Sequence, residues 1–268
     1  MNGQRTQDQL LTELVEAFKA DSGRYRTLGT PRGREEKRRL LRSLMNVRMP
    51  GPLAAETEAM QDEYLRRRLR ERGVVRPEDI PETAPGISLW QGDITRLGCD
   101  AIVNAANSQM LGCFVPMHTC IDNCIHTYAG VQLRRECARQ MEALRARYGV
   151  DYEQPTAVPM LTDAYNLPAK KVIHIVGPIV EGSLTAALER DLADCYRRTL
   201  DLCREAGLRT VAFCCISTGV FHFPNRRAAH IAAETVRAWL ADHPGAMDRV
   251  IFNVFKDEDR RYYEAELC

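Results

Sequence analysis

The sequence predicts a three-layer α/β/α sandwich around a mixed, mostly parallel central sheet, preceded by a helical amino-terminal extension. Three observations lead there. From about residue 86, strand-like and helix-like runs alternate along the chain, the pattern of a sheet wound between helices. The runs 172–176 and 211–216 are almost wholly apolar, as strands buried on both faces are. Residues 1–82 are instead charged and helical in period. The expected division is a helical extension over 1–82 and an α/β domain over 86–268.

In the extension, Leu10, Leu11, Leu14, Val15 and Phe18 recur at helical spacing. Leu40, Leu41 and Leu44 mark a second helix, which carries Arg38, Arg39 and Arg42 on a shared face. Met49-Pro50-Gly51-Pro52 breaks the pattern, and a helix over 56–71 follows. The basic runs Lys37-Arg38-Arg39 and Arg66-Arg67-Arg68 are offset by Glu35, Glu36, Asp62 and Glu63. They read as a solvated helix face rather than a nucleic-acid surface. The extension is expected to pack on the α/β domain as an arm. Strands are expected over 87–94, 101–104, 157–161, 171–176, 210–216 and 249–255, and helices over 121–148, 184–206, 226–241 and 257–267. Ligands in such folds bind past the carboxyl ends of strands, at chain crossings. The loops after Ile94, Asn104, Ile216 and Phe255 are therefore the ones of interest.

Composition narrows the function. The formal net charge of +1 over 268 residues carries no global nucleic-acid signature. No run approaches 18 apolar residues, so no membrane partner is expected. The opening Met1-Asn2-Gly3-Gln4-Arg5 lacks the basic-then-apolar pattern of a secretory signal. Of the ten cysteines, Cys137, Cys195 and Cys203 fall in helical patterns and Cys214-Cys215 in a strand. That placement reads as reduced core thiols together with a metal site, in a cytoplasmic compartment.

The metal expectation rests on residues 112–126. Cys113, His118 and Cys120 form a Cys-x4-His-x-Cys cluster. Two thiolates and an imidazole on one loop suit Zn²⁺, one per chain, and three protein ligands leave a fourth position for water or substrate. Cys124 is the alternative fourth ligand and would close the site. His126 reads as an orienting or core residue, His174 as core, and His222 as a residue at the site's mouth. Asp122, at the start of the helix that follows, is either a helix cap or the group that orients water as a general base.

Four motifs stand in order: Gly92-Asp93-Ile94-Thr95, Asn104-Ala105-Ala106-Asn107, Ala164–Ala169 leading into Val172–Pro178, and Ile216–Phe221. Together they resemble the macrodomain family, whose members bind ADP-ribose; the match covers about residues 86–268. The loop 112–126 resembles the zinc-containing bacterial subgroup, enzymes that remove ADP-ribose from modified proteins and also carry a helical extension. In most macrodomains the loop after the asparagines is glycine-rich. Here Cys113, Phe114, Pro116, His118 and Cys120 stand in its place, which argues for metal-assisted chemistry.

The resemblance implies roles. Asp93 accepts from the adenine amino group and the Ile94 backbone adds a contact. Asn107 orients the distal ribose, a role its two donors and one acceptor allow, and shares the catalytic assignment with Asp122. Ile121 and Asp122 count among the substrate-binding residues. Ser217, Thr218, Gly219 and Val220 form a phosphate loop, with Gly219 permitting inward amide N–H groups. Phe221 packs on the distal ribose and Phe255 on adenine. The implied activity is zinc-dependent hydrolysis of mono-ADP-ribose from acidic side chains. The implied partners are ADP-ribose, a mono-ADP-ribosylated protein, and a lipoyl-carrier protein modified by a sirtuin-like transferase. A non-catalytic ADP-ribose reader, a hydrolase of small ADP-ribose esters and an RNA binder rank below it.

Overall fold

The computed structural model describes residues 5–267. Three helices open the chain: α1 (Gln7–Asp21), α2 (Arg34–Val47) and α3 (Ala55–Arg72). Thr6 caps α1 through a reciprocal pair of bonds with Gln9, which satisfies two of its free N–H groups. Leu10, Leu11, Leu14 and Phe18 of α1 meet Leu41, Leu44, Tyr64 and Leu65 in a small separate core, which also takes in Val131 of the α/β domain.

Among the described residues the strands are β1 (Glu82–Ala84), β2 (Ile87–Gln91), β3 (Ala101–Ala106), β4 (Met160–Asp163), β5 (Lys171–Val176), β6 (Thr210–Phe213) and β7 (Arg249–Val254). They form one sheet in the order β1-β2-β7-β6-β3-β5-β4. The five inner strands run parallel, and β1 and β4 close the edges antiparallel. The helices of this domain are α4 (Ile121–Ala129), α5 (Val131–Tyr148), α6 (Ala186–Glu205), α7 (Asn225–Asp242) and α8 (Asp257–Leu267). α6, α7 and α8 pack together with β5, β7 and β2, while α4 and α5 pack with β3 and β4. The central strands are covered on both faces, which is why β5 is apolar almost throughout. Tyr196, Phe213, Phe252 and Tyr263 fill the core with ring centroids 4.9 Å apart in two of the pairs. No helix among the described residues is long and apolar enough to cross a membrane.

Several boundaries differ from expectation, among them the strand expected over 101–104, which runs on to Ala106 and so has Asn104 in its interior. The expected helix over 121–148 is two helices: Gly130, at φ 99°, ends α4 and precedes α5. That φ strains any residue with a side chain, and a Cβ there would also displace Gln132 Oε1 at 2.6 Å and Gln61 Nε2 at 2.7 Å. The strand expected to reach residue 94 ends at Gln91, because Asp93 accepts from Thr95 N and caps a 3-10 turn over Ile94–Arg96. The strand expected over 157–161 lies at Met160–Asp163, and that over 210–216 stops at Phe213. Short β1 was missed; three residues at a sheet edge leave no periodic signal.

Candidate active site

All five parallel strands end on one side of the sheet, so the loops after β2, β3, β5, β6 and β7 converge there. These loops carry the sequence-predicted residues. β3 delivers Asn104 inside the strand and Asn107 one residue past its end. Asn104 is fully buried and pairs across the sheet with His174 of β5. Its Nδ2 donates to Asp122 Oδ1 at 2.8 Å and lies 3.0 Å from His174 Nδ1. Asn107 Nδ2 makes two longer contacts, to Gly112 O at 3.4 Å and Asp122 Oδ2 at 3.5 Å, and its Oδ1 accepts from Gln109 N. The two asparagines thus hold the same carboxylate, one by each oxygen.

Asp122 is not the cap of α4. That position belongs to Cys120, whose sulfur accepts from Asn123 N at 3.4 Å. The carboxyl of Asp122 instead points inward. Burial raises it to about 6, opposed by the bond from Asn104 and the positive charge of Arg134. His126 Nε2 lies 3.5 Å from the carboxylate, yet burial holds this imidazole neutral and neither ring nitrogen has a hydrogen-bond partner. The contact is therefore not an ion pair. Behind it His174, driven down to about 3 by burial, meets Thr162 Oγ1 at 3.0 Å and Cys137 Sγ at 3.7 Å.

Cys113, His118 and Cys120 come together. Their ligand atoms all lie within 4.8 Å of one another, with Cys113 Sγ 3.5 Å from His118 Nδ1. Zinc–sulfur and zinc–nitrogen bonds of about 2.0–2.3 Å require ligand atoms at such separations, so the three fit a zinc ion. Burial, and then the neighbouring Cys113, pushes the Cys120 thiol up to about 12, against the bond from Asn123 N. Cys124 stands apart: its sulfur faces Arg42 Nη2 at 3.6 Å.

The phosphate-loop candidate differs in one respect from expectation. The left-handed residues of this segment are Ser217 (φ 64°) and His222 (φ 57°), not Gly219. Ser217 is buried, its Oγ lacks a partner, and its carbonyl accepts from Phe223 N. It approaches Gly177 so closely that a Cβ there would lie 2.1 Å from its hydroxyl. Val220 is exposed and Phe221 partly buried. Ile121 is partly buried beside Asp122, and Ile94 is buried in its turn. Phe255, past β7, is 76 % exposed; no burial requirement of the fold accounts for an aromatic ring there.

The sequence model of the Macro domain matches residues 103–232. A protein-ADP-ribose hydrolase of Treponema medium is 45 % identical over 265 residues, covering 96 % of this chain and 98 % of the relative. The chain belongs to the macrodomain family. A protein-ADP-ribose hydrolase of Staphylococcus aureus strain MRSA252 is 41 % identical, covering 95 % of this macrodomain chain and 93 % of its own length. Among solved structures, the Trypanosoma brucei macrodomain in complex with ADP-ribose matches with a TM-score of 0.64 and 32 % identity. That match covers 84 % of this chain and 94 % of the other.

The macrodomain loop that carries Cys113, His118 and Cys120 is held largely by residues that sequence reasoning left in the background. Arg42, from α2, donates to His118 O at 2.7 Å and Asn123 Oδ1 at 2.9 Å. Asn46 Oδ1 accepts from Met117 N at 3.0 Å, bracing a residue in the left-handed region at φ 60°. Arg134 is buried, donates to Leu111 O at 2.7 Å and to Asn46 O and Arg48 O of the arm, and stacks on Phe114. Arg72 donates to Asp93 Oδ2 and Thr95 Oγ1, both at 2.6 Å, while lying over the Tyr128 ring. Arg42 shares a helical face with Arg38 and Arg39, and that periodicity was the one available signal.

Proposed function

We propose that this macrodomain is a zinc-dependent hydrolase that releases mono-ADP-ribose from modified protein side chains, carboxylate esters foremost. The carrying observation is the Asp122 carboxylate, held by Asn104 and Asn107 two residues from Cys120 and its ligand partners. The names of the relatives and the ADP-ribose bound to the trypanosomal macrodomain support the same reading.

Cys113, His118 and Cys120 would hold the zinc ion. When bound, zinc supplies Lewis-acid polarisation of an oxygen at the reacting ribose. Asp93 accepts from the adenine amino group, the Ile94 backbone adds a contact, and Phe255 covers the ring face. The backbone of Ser217, Thr218, Gly219 and Val220 receives the diphosphate, Phe221 packs on the distal ribose, and Asn107 orients its hydroxyls. Ile121 lines the site beside Asp122. Asp122 takes the proton from a water attacking the anomeric carbon. The C1–O bond breaks and the side chain leaves as a carboxylate, a leaving group that needs no acid. A lipoyl-carrier protein modified by a sirtuin-like transferase is the substrate that the resemblance implies.

The test compares zinc-loaded and chelator-stripped protein on a mono-ADP-ribosylated protein linked through Asp or Glu. Release of free ADP-ribose should vanish with the metal and return with added zinc. Absence of release from both samples, with ADP-ribose still bound, would make the protein a reader.

A further inference from the structure

The arm and α4 enclose a groove of about 170 Å³ that the proposed chemistry does not use. Leu41, Met45 and Leu65 give it an apolar floor, and Arg38, Arg39, Arg42 and Arg68 line it against one acidic lining residue, Glu35. Glu71 pairs with both Arg38 and Arg68, and Glu35 with Arg38, which leaves a positive excess. Arg39 is exposed and makes no ion pair among the described residues.

The groove's position links it to the site. One wall is Met117, the residue before the metal-ligand candidate His118; another is Tyr128. Arg72 lies 3.9 Å over the Tyr128 ring and grips Asp93. A chain lying in the groove therefore passes beside the metal loop. Small-molecule pockets generally run to about 300–1,000 Å³, so this groove suits one or two side chains better than a nucleotide. The glutamates set among its arginines also weigh against a continuous phosphate track.

We infer that the groove receives an acidic segment of the substrate protein next to the ADP-ribosylated side chain. This rests on the hydrolase reading and names how that enzyme selects its protein. An apolar floor under a cationic rim takes alternating carboxylate and apolar side chains. Exposed pairs of this kind act on encounter and specificity more than on the bond-breaking step.

The test uses the full chain, with Arg39→Glu and Arg39→Glu/Arg68→Glu; Arg42 and Arg72 stay untouched because they hold the metal loop and Asp93. Each is assayed on two mono-ADP-ribosylated proteins, one modified within an acidic segment and one within a neutral segment. For the acidic substrate, KM should rise about tenfold in the double variant, and the rise should shrink at high salt. The neutral substrate's KM, kcat, and the affinity for ADP-ribose itself should stay within about twofold. Equal losses on both substrates, or unchanged KM on the acidic one, would overturn the inference. So would a single-stranded RNA whose binding, rather than the protein's, is lost in the variants. If the wild-type protein releases nothing, the hydrolase reading fails separately. The groove is then judged by binding of the acidic modified protein, which the double variant must weaken.

Discussion

Asp122 sits on the first turn of α4, yet its two oxygens belong to the end of β3, where Asn104 and Asn107 reach them. Replacing it by Asn keeps the shape and removes the base, but leaves one acceptor where Asn104 and Asn107 each donate to their own oxygen. Asp122→Asn should lower kcat by about 10²–10⁴-fold while the domain still folds and binds ADP-ribose; steady-state kinetics beside calorimetry checks this. Asn107→Ala should lower kcat/KM without unfolding the domain, and unchanged kinetics would remove Asn107 from the site. The Cys113, His118 and Cys120 spacing was legible because all three fall on one short loop. The sharing of Asp122 was not, since it depends on β3 and α4 meeting in space. His174 makes a stability prediction. Burial lowers it from 6.5 to about 3 in the folded state, so below pH 6.5 the unfolded chain binds a proton that the folded one refuses. Its contribution is present above pH 6.5 and is lost as pH falls, by about 1.4 kcal/mol per unit. Denaturant unfolding between pH 7.5 and 5 should show a steeper decline in the wild type than in His174→Gln.

At the scale of elements, the alternation of strands and helices was plain in the sequence because buried parallel strands are apolar end to end. Their ends were less plain. Apolarity continues past Phe213 through Cys214, Cys215 and Ile216, where the backbone leaves the sheet to build the loop around Ser217. The split between α4 and α5 was hidden because apolar residues continue across Gly130. Gly130→Ala should destabilise the protein by about 1–3 kcal/mol or more, read by denaturant unfolding, since the added Cβ meets both the left-handed backbone and the Gln61–Gln132 contact. The basic face of α2 looked merely solvated, since periodicity places a side chain on a face without saying what covers it. The fold turns that face so that Arg42 reaches the carbonyl of His118. Metal affinity should fall about 10–100-fold in Arg42→Ala, the range seen when a supporting hydrogen bond to a metal site is lost, as read by competition with a chelator.

Across the whole molecule, the arm and the α/β domain are tied at the site itself. Arg42, Asn46 and Arg72 reach out from the arm, and Arg134 answers from α5 with bonds to Asn46 O and Arg48 O. The loop that would hold zinc is thus framed on one side by β3 and α4 and on the other by α2. The most direct measurement is made on the Cys113→Ala/Cys120→Ala double variant, with zinc content, thermal unfolding and release of ADP-ribose from an ester-linked modified protein read on the same sample. The expected result is a folded protein that holds no stoichiometric zinc and releases no ADP-ribose. A folded double variant with full release would contradict it.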